Sequence, residues 1–275
     1  MLKKVEIIYP TIERPEVLSV MLKCLKACEK PKDIRILAIV QASKGYKDRV
    51  EDGLRKIFEN VRVVHLDEQG IDHIELGKAF KGNEEGWKEN QKQIEKLEKL
   101  YRTYQNAVDN ASRDVDYFWL MQDDQPFPPD TYPHFRKMIA DTGGDIAAGV
   151  SFSWRNEEGM NHNFWEIEEG QTPDEENLAF PRIRLPIQEK GIIRIGATGL
   201  SNLLCKKDCF LNWKPVYDPK KNWGGDVSFF VNAWKQGYKA FGDWGHPIPH
   251  MTKNEEGEIR VLGRIKKNLV PIMFE

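Results

Sequence analysis

The chain has 275 residues, 40% of them apolar, with 41 basic side chains against 43 acidic ones and a net charge of −2. That length and apolar share suffice for one large core or two small ones and exclude a disordered chain. The balanced charge excludes a global basic field for nucleic acid and leaves only a local patch for it.

The N-terminal MLKKVEIIYP holds an apolar run too short for a signal peptide or a spanning helix. No other stretch reaches spanning length, so a cytoplasmic protein without an integral membrane segment is expected. The cysteines fall into two pairs of equal spacing, Cys24 with Cys28 and Cys205 with Cys209. The first pair shares a helix face with Val17 and Met21, and the spacing is wider than the C-x-x-C of a zinc site; buried thiols are expected.

In chain order, residues 5–9 (VEIIY) read as a strand, followed by a loop holding Pro10, Thr11, Glu13 and Arg14. Pro15 suits the first turn of a helix with apolar positions Val17, Leu18, Met21, Leu22 and Leu25. A strand at 34–40, a helix at about 47–58 and a strand at 61–66 follow. This alternation, with strands apolar on both faces, predicts a parallel sheet covered by helices. Residues 76–91 are polar and glycine-containing, and we expect a mobile excursion there that orders when a ligand binds. A long helix is predicted from Lys92, with Ile94, Leu97, Tyr101, Tyr104, Val108 and Ala111 at three- and four-residue steps.

Residues 117–130, YFWLMQDDQPFPPD, organise the rest. Tyr117 to Met121 form an unbroken apolar run, the signature of a buried central strand. It ends on Asp123 and Asp124, and Pro126 and Pro128 then stop the strand and stiffen its exit. Acids at the carboxyl end of a buried strand in an α/β sheet stand at the usual ligand crevice, and hard oxygen ligands there suit Mg²⁺ or Mn²⁺ with phosphates. The alternative is a solvated turn. Further on come a helix at 130–140, a strand at 145–152, an irregular stretch at 154–186, a strand at 192–197, and a tail at 255–275 with one weak apolar stretch. No internal repeat or linker is visible, so one domain is expected.

Three patterns recur in order: IIYPTIERPEVL, the acid-ended strand with its preceding helix, and GGDVSFFVNAWKQGYKAF followed by GHPIPH. Together they resemble the GT-A glycosyltransferases, the nucleotide-sugar-dependent enzymes whose commonest members invert configuration. The resemblance covers roughly residues 5–252 and rests on order and spacing rather than on any single motif. It implies an α/β fold with a mixed, mostly parallel, Rossmann-like central sheet flanked by helices. It also implies a nucleotide-sugar half at about 1–125, an acceptor and catalytic half at about 126–252, and a tail at 253–275.

Carried over residue by residue, the resemblance assigns the donor nucleotide to Thr11, Glu13 and Arg14 on the first exit loop. At the second strand's end the family's base-contacting acid is missing and Gln41 and Ser43 stand there, which leaves the base open; a UDP-sugar is the default. Arg102 and Asn106 match an Arg-and-Asn helix near the donor, although Arg102 reads equally as a surface residue. Gln122 replaces a first acid, Asp123 is a contact to ribose or sugar and a second metal candidate, and Asp124 is the metal-binding acid. Gly199 lies in a loop beneath the donor sugar or in a plain tight turn. Gly225 replaces a glutamate, and Asp226 matches the general base, though an aspartate there also caps a helix. His250, with His246 as a second candidate, completes the metal ligands, and Trp223, Gly224, Gly225 and Trp154 face the acceptor.

The function implied is a metal-dependent hexosyl- or pentosyltransferase acting on a hydroxyl, with Mn²⁺ or Mg²⁺ as cofactor. The acceptor stays open between a glycan or glycoconjugate, which the tryptophans suit, a lipid-linked sugar, a protein side chain and a modified DNA base. Two other classes compete. A nucleotidyltransferase usually carries a glycine-rich basic loop after its first strand, which YPTIERPE lacks. A non-catalytic nucleotide or carbohydrate binder leaves Asp124 and Asp226 without a role.

Overall fold

The computed structural model describes residues 4–66, 87–154, 160–167, 182–184, 190–215, 225–253, 259–265 and 268–272. β1 (Val5–Ile12), α1 (Pro15–Ala27), β2 (Arg35–Gln41), α2 (Lys44–Arg55) and β3 (Asn60–Leu66) keep the alternation read from the sequence. α3 (Trp87–Asn110) feeds β4 (Tyr117–Leu120), and α4 (Thr131–Thr142) leads to β5 (Ile146–Trp154). Three short strands follow, β6 (Met160–His162), β7 (Trp165–Ile167) and β8 (Arg182–Arg184), then β9 (Ile192–Ile195) and β10 (Leu203–Lys206). α5 (Lys207–Leu211), α6 (Gly225–Lys235) and β11 (Ala240–Ile248) complete the main layer. β12 (His250–Lys253), β13 (Ile259–Ile265) and β14 (Asn268–Ile272) form an antiparallel sheet of their own.

Among the described residues the main sheet has nine strands in the order β3-β2-β1-β4-β10-β5-β11-β9, with β6 beside β5. β1, β2, β3 and β4 pair in parallel, as do β5 and β11, whereas β10 runs antiparallel to both β4 and β5, and β9 to β11. The sheet is therefore mixed and mostly parallel, as the resemblance implies. Each residue of β4 is buried because both faces are covered. Tyr117 and Trp119 point into one core with α1, α2 and α4, and Phe118 and Leu120 into the other with α3, α5 and α6. Alternating side chains that both meet apolar neighbours leave no room for a polar face, hence the continuous run.

Several boundaries differ from the sequence reading. β1 continues through Pro10 to Ile12 instead of ending at Tyr9. β4 pairs with β1 only over Val5 to Ile8, so at Pro10 the strand has β2 as its neighbour, and a residue without an N–H is tolerated as at an edge. α2 begins at Lys44 because the Ser43 hydroxyl accepts the Tyr46 N–H. α3 begins at Trp87, and most of the excursion expected at 76–91 lies outside the described residues. The stretch at 154–186 holds β7 paired with β8, and the expected tail holds two strands. All four cysteines are buried thiols. No helix among the described residues is long and apolar enough to cross a membrane.

Candidate active site

β1 and β4 are adjacent and parallel, yet β2 and β3 lie to one side of β1 and the rest of the sheet to the other. Strand order reverses there, and the carboxyl ends of β1 and β4 diverge into a crevice. Thr11 and Arg14 enter it from β1, and Asp123 and Asp124 from β4. Both acids are buried, at 5% and 3% exposure. Asp123 Oδ2 accepts from Thr11 Oγ1 at 2.9 Å and from the Ile12 N–H at 3.2 Å, and its Oδ1 accepts from the Arg14 guanidinium. Arg14 Nη1 also lies 3.4 Å from Asp124 Oδ2.

Burial raises the Asp123 carboxyl above its ordinary range; the Asp124 charge adds to this, and Arg14, Thr11 and Ile12 oppose it. The backbone N–H of Met251 donates to the Asp124 carbonyl at 2.7 Å, which pins the start of β12 to the acids. His250 Nε2 thereby comes within 3.6 Å of Asp124 Oδ2. Burial lowers the affinity of His250 for a proton, but the charge of Asp124 and its hydrogen bond outweigh this and hold the imidazole above its usual value.

A narrow cleft opens beside these groups. Thr11 and Arg14 line it from β1, Gln41 from β2, Leu100, Thr103 and Tyr104 from α3, and Gln122 and Asp123 from the exit of β4. Gln41 is buried and donates to the Lys99 carbonyl at 3.4 Å. Glu13 and Ser43 are exposed beside the cleft and bond each other, Ser43 N–H to Glu13 Oε2 at 3.0 Å. That hydrogen bond lowers the Glu13 carboxyl below its ordinary value.

Arg102 and Asn106 are not among the residues of the cleft. Arg102 is exposed, and the Asn106 side chain donates to the Arg102 carbonyl within the helix. The helix turns Thr103 and Tyr104 inward instead. Gly199 stands against Ser201, whose Oγ would be 3.0 Å from an added Cβ, also away from the cleft lining.

Tyr104 is the residue the sequence reading missed. Its place in the apolar repeat marked it as core, and nothing in the pattern distinguishes a hydroxyl that reaches a site. Its ring closes the cleft, and its hydroxyl bonds the Gln122 side chain and feels both Asp226 and Asp124. Burial first, then the negative charge of Asp226, hold that hydroxyl far above its ordinary pKa. Asp226 is half-buried in the first turn of α6, where its Oδ1 accepts its neighbour's N–H from Val227 at 2.9 Å. Gly225, expected to face the acceptor, is buried against Tyr104. Trp223 and Gly224 lie outside the described residues, and Trp154 ends β5 with its side chain likewise outside them.

His246, the second metal candidate, belongs to a different cluster. Its Nε2 lies 2.9 Å from Thr131 Oγ1 and its ring stacks on His134 with centroids 4.3 Å apart. His134 in turn bonds Asp243 at 2.8 Å. Two residues after His246 the strand ends, and only His250 reaches the acids.

A divalent ion fits the remaining donors in part. Asp124 and His250 offer a carboxylate oxygen and an imidazole at one spot, while Asp123 is turned toward the exit of β1. Among the described residues no group of three or more His, Cys, Asp or Glu is arranged to hold a metal. Such a set suits an ion that draws its other ligands from phosphate oxygens and water.

No family model matches the sequence, and no curated protein matches it. Solved structures do share the fold. S. aureus TarS 1–349 aligns with a TM-score of 0.52 at 11% identity, over 89% of this chain and 59% of that one. The same protein in complex with UDP-GlcNAc aligns with a TM-score of 0.54 at 12% identity, over 92% and 59%. The mannosyltransferase PcManGT from Pyrobaculum calidifontis, in complex with GDP-Man and Mn²⁺, aligns with a TM-score of 0.50 at 14% identity, over 87% and 54%. The chain thus spans a little over half the length of these three structures. At these identities the likeness shows the fold, which is GT-A-like.

Proposed function

We propose that this chain is a glycosyltransferase that moves a sugar from a nucleoside diphosphate sugar to an acceptor hydroxyl, with inversion at the anomeric carbon. The observation that carries the reading is the crevice between β1 and β4, where Arg14, Gln122 and Asp123 share one cleft with Tyr104, and Asp124 lies just behind it against Arg14 and His250. The nucleotide sugars in the neighbouring structures support the donor class; a UDP-sugar is the default donor, and a glycan or glycoconjugate the acceptor of choice.

In this reading Thr11, Arg14 and Gln41 hold the nucleotide diphosphate. Asp226 takes the acceptor proton as the acceptor oxygen bonds the anomeric carbon, and the bond from that carbon to the phosphate oxygen breaks. A Mn²⁺ or Mg²⁺ ion held by Asp124 and His250 would supply positive charge to the leaving diphosphate. Arg14 and the Tyr104 hydroxyl orient groups within the cleft.

Incubation with a panel of nucleotide sugars and candidate acceptors tests the reading. Release of nucleoside diphosphate that depends on the acceptor is expected, with a product of opposite anomeric configuration. Pyrophosphate release from a nucleoside triphosphate would point to a nucleotidyltransferase instead.

A further inference from the structure

Arg14 stands against the acid that would hold a divalent ion. Its guanidinium bonds Asp123 Oδ1 and lies 3.4 Å from Asp124 Oδ2, the same oxygen that lies 3.6 Å from His250 Nε2. Arg14, Asp123 and Asp124 are all nearly closed to solvent. A Mg²⁺ or Mn²⁺ ion on that oxygen would sit about 2 Å from it, hence close to the guanidinium. The interior screens two such cations poorly, and neither carboxylate can serve both fully. Arg14 also lines the cleft itself, together with Thr11, Gln41 and Tyr104. The guanidinium therefore has a route from the acids to any anion in the cleft, and its planar fork matches phosphate oxygens as well as carboxylates.

The geometry points to Arg14 as a built-in counter-cation that is exchanged during loading, an inference that rests on the glycosyltransferase reading. In the free protein it neutralises Asp123 and Asp124. A divalent ion that arrives alone meets an occupied pair of carboxylates and binds weakly. An ion that arrives with a nucleoside diphosphate takes over Asp124, while the guanidinium turns to the phosphates. The diphosphate supplies the negative charge that lets both cations remain. No covalent bond changes in this exchange. The order of loading is thus set by a residue of the protein and not by the ion's own preference.

Mn²⁺ titration of the intact chain, followed by the electron paramagnetic resonance of free Mn²⁺, tests this with and without UDP or GDP. Wild type should bind Mn²⁺ weakly alone and more tightly with the nucleotide. Arg14→Met should bind Mn²⁺ alone more tightly than wild type by roughly 5- to 150-fold, the ordinary range of coupling between two ligands, and should lose nucleotide affinity. Mn²⁺ affinity equal to wild type in a folded Arg14→Met overturns the exchange. If removing the guanidinium from the buried acids prevents folding, Arg14→Lys serves. It keeps a charge but not the fork that spans both carboxylates, and it should still gain Mn²⁺ affinity; no gain overturns the proposal. If wild type with Mn²⁺ binds no nucleoside diphosphate, the glycosyltransferase reading fails; if nucleotide binds but neither variant gains Mn²⁺ affinity, the exchange alone fails.

Discussion

Asp226 and Gly225 are neighbours with separable roles. Asp226→Asn keeps a side-chain oxygen able to accept the Val227 N–H but removes basicity. Turnover should fall by roughly 10²- to 10⁴-fold, the usual contribution of a positioned base, with nucleotide affinity and thermal midpoint close to wild type. Near-normal transfer by this variant would remove Asp226 from the chemistry. Gly225 acts through the ring it touches. A Cβ there would stand 2.4 Å from Cε2 and 2.8 Å from Cδ2 of Tyr104, and Trp213 packs behind the ring with centroids 5.2 Å apart. Gly225→Ala should therefore cost about 1–3 kcal/mol in chemical denaturation, as overpacking does. In a Tyr104→Ala background the same substitution should cost much less, because the clashing ring is gone. Additive losses would show that the glycine is not a seat for Tyr104.

At the scale of elements, α4 and β11 are joined by the His134, His246 and Asp243 cluster. Thr131 Oγ1 donates to the Pro128 carbonyl at 2.8 Å, so it must accept from His246 Nε2 at 2.9 Å, which fixes the neutral tautomer. Burial, and then the facing His134, lower His246 to about 4, against the opposing charges of Asp130 and Asp243. A histidine with a depressed folded pKa binds fewer protons folded than unfolded between about 4 and its ordinary 6.5. Its contribution is fully present above about 6.5 and is lost as pH falls toward 4, by about 3 kcal/mol for this shift. Denaturation midpoints measured across pH 7 to 4 should decline, and His246→Gln should flatten part of that slope. A His246→Gln profile parallel to wild type would rule out this histidine as a source of acid sensitivity.

For the whole molecule, the site ties distant parts of the chain together. β1, β4, α3 and the start of β12 meet there, and the Met251 N–H bond to the Asp124 carbonyl carries the connection from the acids to the second sheet. A ligand that binds only the folded state stabilises it by about 2.7 kcal/mol at 100 times its dissociation constant. Nucleoside diphosphate with Mn²⁺ should raise the thermal midpoint and slow amide exchange at Ile12, at Gln122–Gln125 and at Met251 together. Protection at the exit of β1 with none at Met251 would mean that β12 is a bystander and that His250 does not close on the ligand.

The sequence by itself determined what local pattern controls. The apolar run at Tyr117 to Leu120 is buried on both faces, and the three- and four-residue steps make α1 and α3, whereas the strand already ends at Leu120, ahead of the acids and the prolines expected to stop it. The acids after the strand were legible as site candidates, but not their burial, which Arg14 offsets. Tertiary structure decided what depends on who lies next to whom. Leu203 to Lys206 was not read as a strand, yet it lies antiparallel between β4 and β5. A short strand carries no mark of its direction. The resemblance assigned Arg14 to the donor nucleotide, but its contact with Asp123 and Asp124 exists only once β1 and β4 become neighbours. Tyr104 reads as core until Gly225, more than a hundred residues later, packs on its ring. Periodicity reports contacts a few residues apart, whereas a site at a switch point is made of groups that only the crossing of the chain brings together.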